Sequence, residues 1–148
     1  MLFPSKNNFM IVAVAATIHE ISEMGECFKW PVLSCEKCSC RLWGHGFVGR
    51  YFDGVADLVR IKRLICPDCG MVVSFRPMAF WPRFRSSIEE IYIALMRRLG
   101  SGFWPIGFKR QRGWYWLKKF MSSVLMSGHC DPAEFLKQRF SKAIHFFV

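Results

Sequence analysis

Two cysteine pairs carry the most specific chemical signal in this chain. Cys35-Glu-Lys-Cys38 and Cys66-Pro-Asp-Cys69 are each a Cys-x-x-Cys knuckle, and 27 residues lie between them. Two residues between cysteines let a tight turn aim both sulfurs at one point, and a hairpin between the pairs brings the two points together. Four thiolates then close a tetrahedral site, which predicts one structural Zn2+ and no open position for a metal-bound water. Gly70 supplies backbone freedom where the second knuckle bends. Cys40 and His45 stand close enough in sequence to be rival ligands. Two pairs of unbound thiols, or a redox Cys-x-x-Cys, are the competing readings, but a redox pair is normally single and precedes a helix. Seven cysteines, an odd number, argue against a closed disulfide framework and for a reducing, cytoplasmic setting.

The second candidate site is cationic. Residues 109–119 read Lys-Arg-Gln-Arg-Gly-Trp-Tyr-Trp-Leu-Lys-Lys, with five positive charges and no acid. On a helix starting near Arg112, the side chains of Trp114, Leu117 and Met121 form an apolar seam, and Tyr115, Lys118 and Lys119 project away from it. Lys109, Arg110, Gln111 and Arg112 then lie at or before the helix N-terminus, where free N–H groups and the helix dipole favour a phosphate. Gln111 and Arg112 are also side-chain types that read base edges. The expected nucleic-acid contacts are therefore Lys109, Arg110, Gln111, Arg112, Tyr115, Lys118 and Lys119. A weaker basic edge lies between the knuckles at His45, Arg50, Arg60, Lys62 and Arg63; it reads as a solvated strand face or as a phosphate-contacting ribbon.

The charge of the whole chain agrees with a polyanionic partner. Its 148 residues carry a formal net charge of +10. Residues 1–84 hold ten basic and seven acidic side chains, whereas residues 85–148 hold eleven basic and four acidic, so most of the excess sits in the C-terminal part. Hydrophobic residues at 52% rule out a disordered composition. The most apolar run, Phe9–Ile18, is about half of a membrane-spanning helix, so it reads as a buried helix and not as an anchor or signal.

The elements that must position these groups can be read in order. Ile11, Val14, Ala15, Ile18, Ile21 and Met24 recur at helical spacing, which predicts an N-terminal helix over residues 9–24 that Gly25 ends. Residues 26–34 are a connector containing Pro31. Between and after the knuckles, Gly46–Phe52, Leu58–Ile65 and Met71–Phe75 read as strands, the first two joined by an Asp53-Gly54 turn. Ser86 with Glu89 fits a capping box for a helix whose face is Ile88, Ile91, Tyr92, Leu95 and Leu99, before Gly100. Gly102, Pro105 and Gly107 interrupt helical structure over 101–111. A second helix shows Trp114, Leu117, Met121, Val124 and Leu125 on its seam, with Trp116 and Phe120 beside it. Asp131-Pro132-Ala133-Glu134 starts a last helix, which runs toward Phe147. The expected fold class is α+β: an N-terminal helix and connector (1–34), a small zinc-ribbon hairpin module (35–76) and a basic helix-turn-helix-like region (77–148).

This order of parts resembles the N-terminal zinc ribbon and helix-turn-helix of bacterial transposases and transposase-like proteins. The resemblance runs from Cys35 to Phe120. It rests on the paired knuckles, on His45-Gly46 followed by Arg50, and on the basic pattern Trp116-Leu117-Lys118-Lys119-Phe120. It implies duplex DNA recognition without the catalytic domain of that family.

Catalysis is not expected. The chain has no Gly-rich phosphate loop and no His-x-Glu pair at metal spacing, and His129-Cys130 reads as the lead into the last helix. The first functional reading is a non-enzymatic DNA recognition module, acting as a regulator or a complex subunit. The second is an interaction or scaffold subunit of a larger, RNA-containing complex, docking through the apolar N-terminal helix.

Overall fold

The computed structural model describes residues 8–144, with side chains described through residue 141. The chain is α+β and divides between Arg85 and Ser86 into two compact units.

The first unit is built on a four-stranded mixed sheet. Strands β1 (Phe9–Val14), β2 (Trp43–Arg50), β3 (Val59–Ile65) and β4 (Val72–Pro77) are arranged in the order β1-β4-β3-β2. β2 and β3 form an antiparallel hairpin with an irregularity between Gly44 and Phe47, and β3 runs antiparallel to β4. β1 lies parallel to β4, in register from Phe9 opposite Val72 to Val14 opposite Pro77.

The helix expected over residues 9–24 is thus a strand, a turn and a short helix, α1 (Ile18–Met24). The physical reason is local at one end and tertiary at the other. Thr17 and Glu20 make a reciprocal capping box: the Thr17 hydroxyl accepts from the Glu20 N–H at 3.2 Å, and the Glu20 carboxylate accepts from the Thr17 N–H at 2.8 Å. The Thr17 N–H, and then the Thr17 hydroxyl donating to the same carboxylate at 3.0 Å, hold the Glu20 carboxyl below its ordinary pKa. A capped N-terminus at Thr17 cannot be a helix interior, so the residues before it must pair elsewhere. Ile11, Val12 and Val14 suit an extended backbone, and β4 offers them an open edge.

The core explains why that segment is apolar. Val14, Ile18 and Ile21 are buried with Val59, Ile61, Leu64, Val73 and Phe75, and Met10 and Val12 pack against this cluster. α1 lies on β3. Trp30, from the connector, stacks on Phe75 at 5.2 Å between ring centroids, and Phe52 meets Phe80 edge-on at 4.8 Å. The segment read as a docking helix therefore buries Val14, Ile18 and Ile21 inside its own unit, while Phe9 and Met24 stay exposed at 38% and 46%. Arg76 on β4 clasps the connector that follows it, donating to the carbonyls of Phe80 and Phe84. Burial, and then the neighbouring Arg50, pull its pKa down to about 10, so it stays charged at neutral pH.

The second unit consists of α2 (Ile88–Ser101), α3 (Arg110–Ser127) and α4 (Pro132–Ile144). α2 is capped by Ser87, whose hydroxyl accepts from the Glu90 N–H at 3.2 Å, one residue later than the Ser86–Glu89 box predicts. Ser86 is instead buried, and its hydroxyl accepts from Arg112 at 3.2 Å. α4 begins as its sequence suggests: Asp131 Oδ1 accepts from the N–H groups of Ala133 at 2.9 Å and Glu134 at 3.4 Å. Ile88, Ile91, Ala94 and Leu95 of α2 are buried, as are Trp116, Phe120 and Val124 of α3 and Phe135 and Leu136 of α4. Tyr92 stacks on Phe140 at 3.9 Å.

The phase of α3 differs from the expected seam. Gly113, Trp116, Phe120 and Val124 form the buried line, whereas Trp114 is half exposed and Leu125 is 77% exposed. The sequence offers two overlapping apolar stripes, and Gly113 decides between them. A Cβ there would come within 2.8 Å of Phe108 and 2.9 Å of Trp104, so this side of the helix meets the two rings closely. Among the described residues no helix is long and apolar enough to cross a membrane.

Candidate functional site

Each cysteine knuckle is a short turn closed by the same pair of backbone bonds. In the first, the Ser39 N–H donates to the Cys35 carbonyl at 2.8 Å and the Cys35 N–H donates to the Cys40 carbonyl at 2.8 Å. In the second, Gly70 donates to Cys66 at 3.0 Å and Cys66 donates to Met71 at 2.8 Å. Both turns need a left-handed residue after the second cysteine. Gly70 takes φ +69° without cost, whereas Ser39 at +57° carries a penalty of about 1–2 kcal/mol. The first knuckle precedes β2 and the second links β3 to β4, so the antiparallel pairing of these strands brings the two turns face to face.

The result is a sulfur cluster. The Sγ atoms of Cys35, Cys38, Cys66 and Cys69 all lie within 4.8 Å of one another, and Cys35 and Cys69 approach to 3.6 Å. A tetrahedral metal with bonds of about 2.3 Å needs sulfurs about 3.8 Å apart, so the four residues fit a metal ion with small adjustments. Cys35 and Cys66 are buried, and Cys38 and Cys69 are half-buried. This set of four soft thiolate donors has the composition that selects zinc or an iron–sulfur type of centre over hard cations.

The thiols of the cluster hold their protons unequally. Cys66 accepts from the Cys69 N–H at 3.4 Å, and this bond chiefly lowers its pKa to about 6. Cys38, hydrogen-bonded to Cys69, is pushed up to about 12. Cys69 is also raised: the Met71 N–H pulls it down, but its contacts with Cys66 and Cys35 and its burial outweigh that. Of these three thiols Cys66 is therefore the first to ionise, and Cys38 and Cys69 hold their protons longer.

Two further residues belong to this site. Cys40, a rival ligand by sequence, has its sulfur 3.3 Å from that of Cys66, and this contact chiefly pushes its pKa up to about 12. Asn8 was not legible at all. Its side-chain N–H donates to the Cys69 carbonyl at 3.3 Å and its Oδ1 accepts from Lys37 at 3.5 Å, so it bridges both knuckles. A lone Asn before an apolar run carries no signal of this role. His45, the other rival ligand, is exposed on β2 and lies outside the cluster.

The basic edge between the knuckles is divided. Arg60 pairs with Glu26, Lys62 stands opposite Phe47, and Arg63 is half-buried with no hydrogen-bond partner for its Nε among the described residues. Arg50 is exposed.

The candidate nucleic-acid residues fall around the first three turns of α3. Lys109 is the N-cap position, and no side chain caps the helix there. Lys109, Arg110, Gln111, Tyr115, Lys118 and Lys119 are exposed, and Lys119 lies over the Tyr115 ring at 5.9 Å. Gln111, Tyr115 and Lys118 are spaced i, i+4, i+7, which places them on one stripe opposite the buried Gly113, Trp116 and Phe120. Arg112 differs: it is half-buried and bound to Ser86. The helix contains no acidic residue.

Compared with protein-family models, with curated proteins and with solved structures, the chain matches none.

Proposed function

We propose that this chain is a non-enzymatic, zinc-dependent nucleic-acid-binding protein, a transposase-like DNA recognition module acting as a regulator or complex subunit. The observation that carries the reading is the outer face of α3. Gln111, Tyr115 and Lys118 form a solvent stripe flanked by Arg110 and Lys119, with the uncapped helix start at Lys109 and no acid along the helix. Such a face offers phosphate contacts from the lysines, donors at the helix N-terminus, and a Gln able to read a base edge. Zinc serves the sheet unit as a structural ion held by Cys35, Cys38, Cys66 and Cys69. The zinc ribbon and the helix-turn-helix are parts of this reading. Here eight residues, 102–109, separate α2 from α3, with Gly102 and Gly107 at positive φ.

A salt series with fluorescent duplex DNA tests it. Lys109, Arg110, Lys118 and Lys119 are exposed cations on this face, so neutralising about four phosphates gives a log–log slope of about −3.6. The double variant Lys118→Ala/Lys119→Ala should bring the slope to about −1.8 while the fold is kept. An unchanged slope in the variant, or no binding at low salt by zinc-loaded protein, overturns the assignment.

The scaffold reading has its own observation. Phe103, Ile106 and Met126 are 75%, 96% and 92% exposed in the helical unit. An apolar surface of this kind favours a protein partner there. Loss of stable partner-free protein in solution, together with absent DNA binding, would support it.

A further inference from the structure

The knuckles gather five sulfurs, while a tetrahedral metal uses four. Cys40 occupies in the first knuckle the place that Met71 holds in the second. Each is the residue whose carbonyl accepts the N–H of the leading cysteine, at 2.8 Å in both turns. Met71 is buried in the core. A cysteine at the matching position instead sets a thiol against the other knuckle, with Cys40 Sγ 3.3 Å from Cys66 Sγ. Once Cys35, Cys38, Cys66 and Cys69 hold a metal, its coordination is closed and the Cys40 thiol is left over, in contact with a ligand.

We propose that Cys40 and Cys66 are a peroxide-reactive pair whose oxidation to a disulfide opens the metal site. The proposal rests on the metal reading of the site and not on the DNA reading.

The chemistry balances with hydrogen peroxide as the oxidant. The Cys66 thiolate gives its electron pair to one peroxide oxygen. The O–O bond breaks, Cys66 becomes a sulfenic acid, hydroxide leaves, and the bond from Cys66 to the metal is lost. The Cys40 sulfur then attacks the Cys66 sulfur. The S–S bond forms, the S–O bond breaks, and the departing hydroxide takes the Cys40 proton as water. Two sulfurs are oxidised by two electrons in all, and peroxide is reduced to one water and one hydroxide.

Geometry selects this pair over its rivals. From 3.3 Å the two sulfurs need to close by about 1.2 Å to reach disulfide length. Cys35 and Cys69 are almost as near, at 3.6 Å. Both of those are ligands, however, and joining them breaks two metal bonds where Cys40 and Cys66 break one. Cys27 and Cys130 are exposed and outside the cluster, so they are separable by substitution.

The experiment uses the zinc-loaded full chain carrying Cys27→Ser and Cys130→Ser, with zinc content measured before any oxidant is added. Hydrogen peroxide is then added, zinc release is followed with a chromogenic chelator, and the disulfide is mapped on non-reduced peptides. The expected result is zinc release in step with a Cys40–Cys66 crosslink, reversed by dithiothreitol with zinc. The added Cys40→Ser change should leave one zinc bound at the start and slow release about tenfold or more, because the sulfenic acid loses its resolving thiol. Equal release rates, or a crosslink that maps to Cys35–Cys69, would overturn the proposal. So would a Cys40→Ser chain that holds no zinc at the start, which would make Cys40 a ligand. A parent chain that holds no zinc before oxidant overturns the metal reading and this proposal together, and leaves the DNA reading to its own test.

Discussion

Replacing Ile21 by Ala probes how the N-terminal segment is used. Ile21 is 1% exposed on α1, which packs on β3. The substitution removes three carbons, worth about 2.4 kcal/mol of transfer free energy at about 0.8 kcal/mol per buried methylene. Incomplete collapse of the cavity adds to this, so the expected loss is about 3 kcal/mol, within the 2–5 kcal/mol range for such changes. Hydrogen exchange of peptides covering β3 reads this loss in the sheet unit alone. If β3 amides exchange through opening of that unit, a loss of 3 kcal/mol speeds them by about 150-fold. His19→Ala, on the exposed side of the same helix, is the control and should stay within about 0.5 kcal/mol. Acceleration of β3 by less than about tenfold in Ile21→Ala, or equal effects of the two variants, would refute the packing of α1 on the sheet. The segment would then be free to dock elsewhere, as its apolar run first suggested.

Metal binding should release protons. At pH 7 the Cys66 thiol, held near 6, is mostly ionised, whereas Cys38 at about 12 and the raised Cys69 still carry protons that a metal must expel. Affinity should therefore rise with pH across the neutral range, more steeply below about pH 6, where Cys66 also becomes protonated. Titration calorimetry in two buffers of different ionisation heat should count at least two protons per metal at pH 7, and a smaller count contradicts the assigned proton sharing. In α3, Trp116→Ala should cost about 3–5 kcal/mol in thermal unfolding and Leu125→Ala no more than about 0.5 kcal/mol. The reverse order would restore the seam through Trp114 and Leu125.

What could be read in the residues alone was what depends on short spacing. The four clustered cysteines that could hold a metal ion belong to this class, because Cys-x-x-Cys brings two sulfurs together within one turn. The hairpin strands, the Asp131 cap of α4 and the exposure of Lys118 and Lys119 do as well. Thr17-x-x-Glu20 is equally local: a capping box there starts a new helix at Thr17 and is incompatible with one continuous helix over residues 9–24, which the apolar spacing alone suggests. Tertiary structure alone decided the rest. A strand parallel to β4 is stabilised by a partner more than fifty residues away, and no pattern within Phe9–Val14 can specify it. The phase of α3 depended on Phe108 and Trp104 meeting Gly113. The contact of Cys40 with Cys66 depended on two similar turns brought face to face by the pairing of β2, β3 and β4. In each case the deciding energy is a close approach between distant residues, and such energy exists only once the chain has folded.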